Sequence, residues 1–200
     1  MSPRPVIDVS ALPNSEFGHR GLIWWGTVGF MVIEGSMFVI ALVVYFYLRL
    51  NVEEWPPGLP DPDPSYGTAN LILVLVSLVP AVVSKRAAEA FQLERARVWL
   101  LVLVLMGLAS VVLRAFEYPA LNCRWDDNAY ASMVWVLLSM HTIHVSTDVV
   151  DSVVLLVMAW TKPMTRKRFV DLSENSLYWY FIVAWWIPIY VVIYFAPRLL

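Results

Sequence analysis

GLIWWGTVGFMVIEGSMFVIALVVYFYL, from Gly21 to Leu48, is an apolar run long enough to cross a bilayer and interrupted by a single carboxylate, Glu34. As a helix it spans the roughly 30 Å hydrocarbon core with residues to spare. Four further runs have the same character, at about 68–84, 98–116, 130–160 and 177–196. With 60% hydrophobic residues, 15% charged residues and ten tryptophans, the chain is too apolar to cover itself in water. The composition points to an all-α polytopic membrane protein, a bundle of five transmembrane helices, because lipid offers backbone groups no partner outside the helix. Residues 1–20 are polar and proline-bearing, without the short apolar core and small-residue cleavage site of a signal peptide. They read as a cytoplasmic N-terminal tail, residues 21–196 as the membrane domain, and 197–200 as an outer tail.

Lysine and arginine set the expected orientation. If the five runs alternate, Arg4, Arg20, Lys85, Arg86, Arg95, Arg97, Lys162, Arg166, Lys167 and Arg168 share one side, against Arg49, Arg114, Arg124 and Arg198 on the other. The positive-inside rule then puts the N-terminus in the cytoplasm and the C-terminus outside. The outer side collects acids instead, including Glu53, Glu54, Asp61, Asp63, Asp126 and Asp127. One cysteine, Cys123, excludes an intrachain disulfide and a cysteine-based metal cluster. The run from Trp55 to Pro64 is stiff with proline and reads as an ordered outer cap. Pro80 and Pro188 are expected to bend their helices. Trp99, Trp160 and Trp179 are expected at the inner interface as an aromatic belt.

A charge at the centre of a membrane helix costs about 2.5–3.5 kcal/mol on insertion scales, so Glu34 needs a partner or a proton. The fourth run offers partners. His141, His144, Asp148 and Asp151 fall within an arc of about 80° at 100° per residue. Three readings fit this stripe: a metal or haem site, a proton or ion path, and a structural polar network. Glu34 lies about thirteen residues into its helix and His144 about fifteen into an antiparallel one, which places both near the midplane. Glu34 is therefore expected within hydrogen-bond reach, directly or through one water, of the stripe formed by His141, His144 and Asp148. Arg114 and Glu117, three apart, read as an outer ion pair, a snorkelling arginine beside an interfacial glutamate. With only His141 and His144 as intramembrane histidines the metal reading is set aside, and neither a metal site nor a nucleic-acid partner is expected.

Taken in order, several short motifs carry a family resemblance: Trp25-Gly26, Glu34 with Met37-Phe38, Trp55-Pro56-Pro57, Asn70, Glu117-Tyr118, His141-x-x-His144-Val145, Tyr178-Trp179-x-Phe181 and Ile193-Tyr194. The chain resembles subunit III of the haem-copper terminal oxidases, in the short five-helix bacterial form, from Gly21 to Tyr194. The family's membrane glutamate then falls on Glu34, its paired histidines on His141 and His144, and its outer glutamate on Glu117. Two departures mark a divergent branch. Tyr178-Trp179-Tyr180-Phe181-Ile182-Val183 lacks the family's histidine and aspartate, and Asp148 stands where a glycine is common. The resemblance implies a non-catalytic subunit of a proton-pumping oxidase. Haem and copper would sit in partner subunits, with subunit I the main contact and subunit II beside it. Phospholipid would be bound in a cleft, and the chain would support proton uptake. A relative associated with nitric oxide reductase and a small ion-coupled transporter are the alternatives.

Overall fold

In the computed structural model, which describes residues 15–199, five helices are long and apolar enough to cross a membrane. They are α1 (Leu22–Arg49), a second crossing made of α2 (Pro64–Val76) and α3 (Leu78–Glu89), α4 (Leu93–Glu117), α5 (Ala129–Thr161) and α6 (Arg166–Tyr194). A final turn, α7 (Ala196–Leu199), follows. Arg4 and the tail before Ser15, with Leu200, lie outside the described residues. The chain is thus a multi-pass, all-helical membrane protein. α6 is its central element, packing against α1, α2, α3 and α5, while α1 docks on α5 and α6.

Local chemistry sets the ends. Asp63 caps α2 by accepting the Ser65 backbone N–H at 2.9 Å, with Pro64 opening the first turn where no N–H is needed. Asn128 caps α5 through the Ala131 N–H at 2.9 Å. The second crossing breaks at Ser77 rather than at Pro80 itself, because the N–H missing from Pro80 is the one that would reach back to Val76. α6 runs through Pro188 unbroken.

α6 also begins eleven residues before the apolar run does. Its first turns are polar, yet Ser173, Glu174, Asn175 and Ser176 are buried. Lys85 Nζ donates to Ser173 Oγ at 2.6 Å, and Asn175 Nδ2 donates to Ser152 Oγ at 2.8 Å. Partners from α3 and α5 thus keep a polar segment helical that hydropathy alone ends. The extension corrects one belt residue. Trp179 lies about 20 Å along α6 from its start, is 1% exposed, and donates its indole N–H to Ser77 Oγ at 2.8 Å. It holds the α2–α3 break against α6 instead of marking an interface. Trp160 does stand exposed, with the Arg97 guanidinium over its ring at 5.3 Å.

Small residues let the helices close up, as in lipid where packing rather than water drives association. A methyl on Gly67 would overlap the Tyr194 ring, and one on Gly107 would lie 2.5 Å from Val149 Cγ2.

At the end of the bundle that carries Trp55, the proline-rich segment folds back onto the helices. Trp55 is buried edge-on against Tyr45 and Tyr130, with centroids 5.2 and 5.0 Å away. Its indole N–H donates to Tyr45 Oη at 2.8 Å, and that hydroxyl donates to the Val192 carbonyl. Part of the acidic face is internally matched here. Asp61 lies 3.7 Å from Arg198, Asp126 pairs with Arg124 at 3.2 Å, and Asp127 accepts the Arg124 N–H. In α7, Ala196 and Pro197 are buried and Arg198 donates to the Pro62 carbonyl at 2.7 Å.

Cys123 lies half-buried at this end, where burial, with Asp127 nearby, pushes its thiol up to about 11. A thiolate is the reactive form, and an ordinary cysteine titrates near pKa 8.5. Maleimide labelling of folded protein should therefore be far slower than that of a free thiol at neutral pH. Its rate should still be climbing with pH well beyond 8.5, whereas a plateau near that value contradicts the assignment.

Candidate functional site

The intramembrane polar residues gather into two separate clusters rather than one stripe. The first lies between α4, α5, α6 and α2. Arg114 Nη1 donates to Glu117 Oε2 at 2.7 Å, and the side chains are only 1% and 0% exposed. Arg114 therefore does not snorkel, and the pair is a buried one. Its surroundings supply what lipid cannot. Tyr194 Oη donates to Glu117 Oε1 at 2.7 Å, Asn70 Nδ2 reaches Oε2 at 3.4 Å, and Ser110 Oγ donates to Asn70 Oδ1 at 2.7 Å. The guanidinium lies over the Trp186 ring at 3.7 Å.

His141 belongs to this cluster, which corrects the expectation that it faces Glu34. Arg114 Nη2 lies 2.7 Å from His141 Nδ1, and Nε2 lies 3.0 Å from the Ile182 carbonyl. An arginine only donates and a carbonyl only accepts, so Nδ1 is the acceptor and Nε2 carries the hydrogen. The ring is a neutral imidazole with both nitrogens used.

The second cluster faces a cleft of about 780 Å³ between α1, α5 and α6. Here Glu34 Oε2 accepts the Tyr178 hydroxyl at 2.6 Å, and Oε1 lies 3.4 Å from His144 Nε2. His144 Nδ1 is 2.6 Å from the Met140 carbonyl, so Nδ1 holds a hydrogen. Nε2 then faces the Glu34 carboxyl across 3.4 Å without a direct hydrogen bond. Phe38 packs on the same ring at 4.9 Å and on Trp185 at 5.0 Å, closing one side. Asp148 lines the cleft, 3% exposed, and makes no hydrogen bond to Glu34 or His144; Oδ2 has no partner at all. Asp151 stands exposed at its rim.

The split follows from helix azimuth. Around α5 the order is His141, Asp148, His144, Asp151, so one edge of the 80° arc turns into the bundle and the other opens to α1 and the cleft. Asn70, Ser110 and Tyr194 complete the first cluster, and Asp171, Glu174, Asn175 and Tyr178 join the second. The spacing of Asp171, Glu174, Asn175 and Tyr178, on one helical face, was their available signal. It lies largely before the apolar run that defined the fifth crossing. Among the described residues, no group of three or more histidine, cysteine, aspartate or glutamate side chains is placed to hold a metal ion.

The comparisons with known proteins agree with one another. Residues 14–197 match the family described as Cytochrome c oxidase subunit III. The cytochrome c oxidase subunit 3 of Synechocystis sp. is 24% identical over 190 residues, covering 91% of this chain and 80% of that protein. The probable cytochrome c oxidase subunit 3 of Mycobacterium tuberculosis is 29% identical over 175 residues, 85% of this chain and 86% of the relative. That of Corynebacterium diphtheriae is 26% identical over 176 residues with the same coverage. A five-crossing bundle, the ordered motifs from Trp25 to Tyr194 and a match over nearly the whole length establish that the chain belongs to the cytochrome c oxidase subunit III family.

Proposed function

We propose that this chain is the non-catalytic subunit III of a proton-pumping haem-copper terminal oxidase in the bacterial inner membrane, with its N-terminus in the cytoplasm. It packs beside subunit I, with subunit II in the same complex, stabilises the catalytic subunit, holds phospholipid along its cleft and supports proton uptake. The observation that carries the supporting role is the state of the two α5 histidines. His141 has both ring nitrogens committed, and His144 is divided between the Met140 carbonyl and Glu34. Bis-histidine ligation of a haem iron takes a nitrogen from each of two histidines, and with both nitrogens of His141 engaged the α5 pair does not supply them, so the redox centres are assigned to the partner subunits.

Removing this chain from the purified complex tests the assignment. The haem spectrum and the initial rate should survive, while activity should decay faster during sustained turnover. Loss of the haem spectrum on removal, or an unchanged working lifetime, would refute it.

Glu34 supplies a second expectation. Glu34→Gln keeps an acceptor for Tyr178 but removes the carboxyl group that faces His144, at a stability cost within about 1 kcal/mol, since intramembrane hydrogen bonds average near 0.6 kcal/mol. If the pair feeds proton uptake, the turnover ratio of variant to wild type should fall as pH rises and external protons become scarce. A ratio constant across the pH range would confine Glu34 to packing.

A further inference from the structure

The outward face of α5 carries a helix-packing pattern that no described helix covers. Ile143, Thr147, Val150, Val154 and Val157 are exposed and recur at alternating intervals of four and three residues. That is the 3.5-residue period of a seam between two helices, whereas lipid imposes no period on the side chains it touches. Asp151, also exposed, follows Val150 and flanks the seam. In a helix pair this is the position beside the core where a charged side chain selects the partner.

Depth makes the charge costly. Asp151 lies about 14 Å along α5 from the exposed Trp160, close to the middle of a core roughly 30 Å thick. A lipid headgroup stays at the interface, and the short aspartate stem does not snorkel out to it. Asp151 makes no hydrogen bond or ion pair among the described residues, and the acids that share its wall, Asp148, Asp171 and Glu174, have its own sign. The hydroxyls beside it have already given their hydrogens away. Ser146 Oγ donates to the Thr142 carbonyl at 2.7 Å, and Thr147 Oγ1 to the Ile143 and His144 carbonyls at 3.0 Å each. With Val150 and Val154 these side chains line a groove of about 360 Å³ whose polar groups all accept. A carboxylate at this depth calls for a cation that donates. A second copy of this chain has none to offer at that level, because every lysine and arginine of the described helices stands at or next to an end turn.

We propose that this face of α5 docks on a transmembrane helix of another oxidase subunit, which sets a lysine or arginine side chain against Asp151. The proposal rests on the chain being subunit III of an oxidase, and adds which face meets a neighbour and which residue fixes the register. Thr147, Asp151 and Val154 border both the groove and the cleft, so the docked helix lies outside the cleft and leaves it open.

The test places the photo-crosslinking residue p-benzoylphenylalanine at Val150, and separately at Val154, in the purified complex, and identifies each adduct by mass spectrometry. The expected adduct is a membrane span of another subunit that contains a lysine or arginine. An adduct only with lipid, with a second copy of this chain or with a span lacking a basic residue would overturn the proposal. Asp151→Asn, which keeps the side-chain shape, should weaken the hold of the complex on this chain about tenfold or more, read as its apparent Kd on dilution in detergent, the scale of one charge-assisted hydrogen bond. Replacing both Asp151 and the identified cation by leucine should recover much of that affinity. Unchanged affinity in Asp151→Asn also overturns the proposal. If that variant does not accumulate, the crosslinks decide, since they are made with Asp151 intact. The two levels fail separately. A complex without haem-bearing partners refutes the subunit III reading, whereas a haem-bearing complex with no protein adduct at Val150 or Val154 refutes the docking face alone.

Discussion

Arg114→Leu is expected to destabilise the bundle by about 3–5 kcal/mol, the cost of stranding one member of a buried ion pair. The substitution leaves Glu117 at 0% side-chain exposure without its cation, with only Tyr194 and the distant Asn70 amide to satisfy it. It also removes the donor to His141 Nδ1 and the cation over the Trp186 ring. Because that cluster joins α2, α4, α5 and α6, the loss should register as subunit dissociation on size exclusion and as a lowered thermal midpoint of the detergent-solubilised complex. Arg114→Leu with Glu117→Leu should recover much of the loss, since replacing a whole buried pair by apolar residues is often neutral or favourable. A single variant as stable as wild type would show that the pair contributes nothing.

Trp55→Ala should cost about 3 kcal/mol, near the lower end for deleting a large buried aromatic side chain. Trp55 is the anchor that fastens the proline-rich segment to α1 and α5 through Tyr45 and Tyr130. Without it the segment keeps the tie from Asn128 to the Pro57 carbonyl and those from Asn122 and Arg198 to the Asp61 and Pro62 carbonyls. Protease cleavage within residues 50–63 should accelerate, with the thermal midpoint falling alongside it. Trp55→Phe keeps the ring packing and gives up the indole hydrogen bond, so about 1 kcal/mol is expected. Equal effects of the two substitutions would show that the hydrogen bond, and not the packing, holds the segment down.

Hydropathy located the five crossings because lipid acts on each run separately: a stretch such as Gly21–Leu48 must close its own backbone hydrogen bonds wherever its neighbours stand. The capping signals were equally local, with Asp63 and Pro64 opening α2. The family, too, was legible, through motifs whose order survives without any contact information. The fifth crossing was read short because Ser173 to Ser176 are polar, and nothing nearby in the chain reveals that Lys85 and Ser152 wait across the interface.

Membrane residence, the number of crossings and the residues rich in polar chemistry were thus determined by the sequence by itself, being properties of single segments in a uniform apolar solvent. Only the tertiary structure decided where each polar side chain points. It turned His141 to Arg114 and His144 to Glu34, sank Arg114 and Trp179 into the bundle, and left Asp148 facing a cleft without a partner. The physical reason is that a helix repeats its faces every 3.6 residues but carries no mark of its neighbour. A rotation of a few tens of degrees separates a sealed ion pair from an unpartnered carboxyl on the wall of a cleft, and that angle is set by helices distant in sequence.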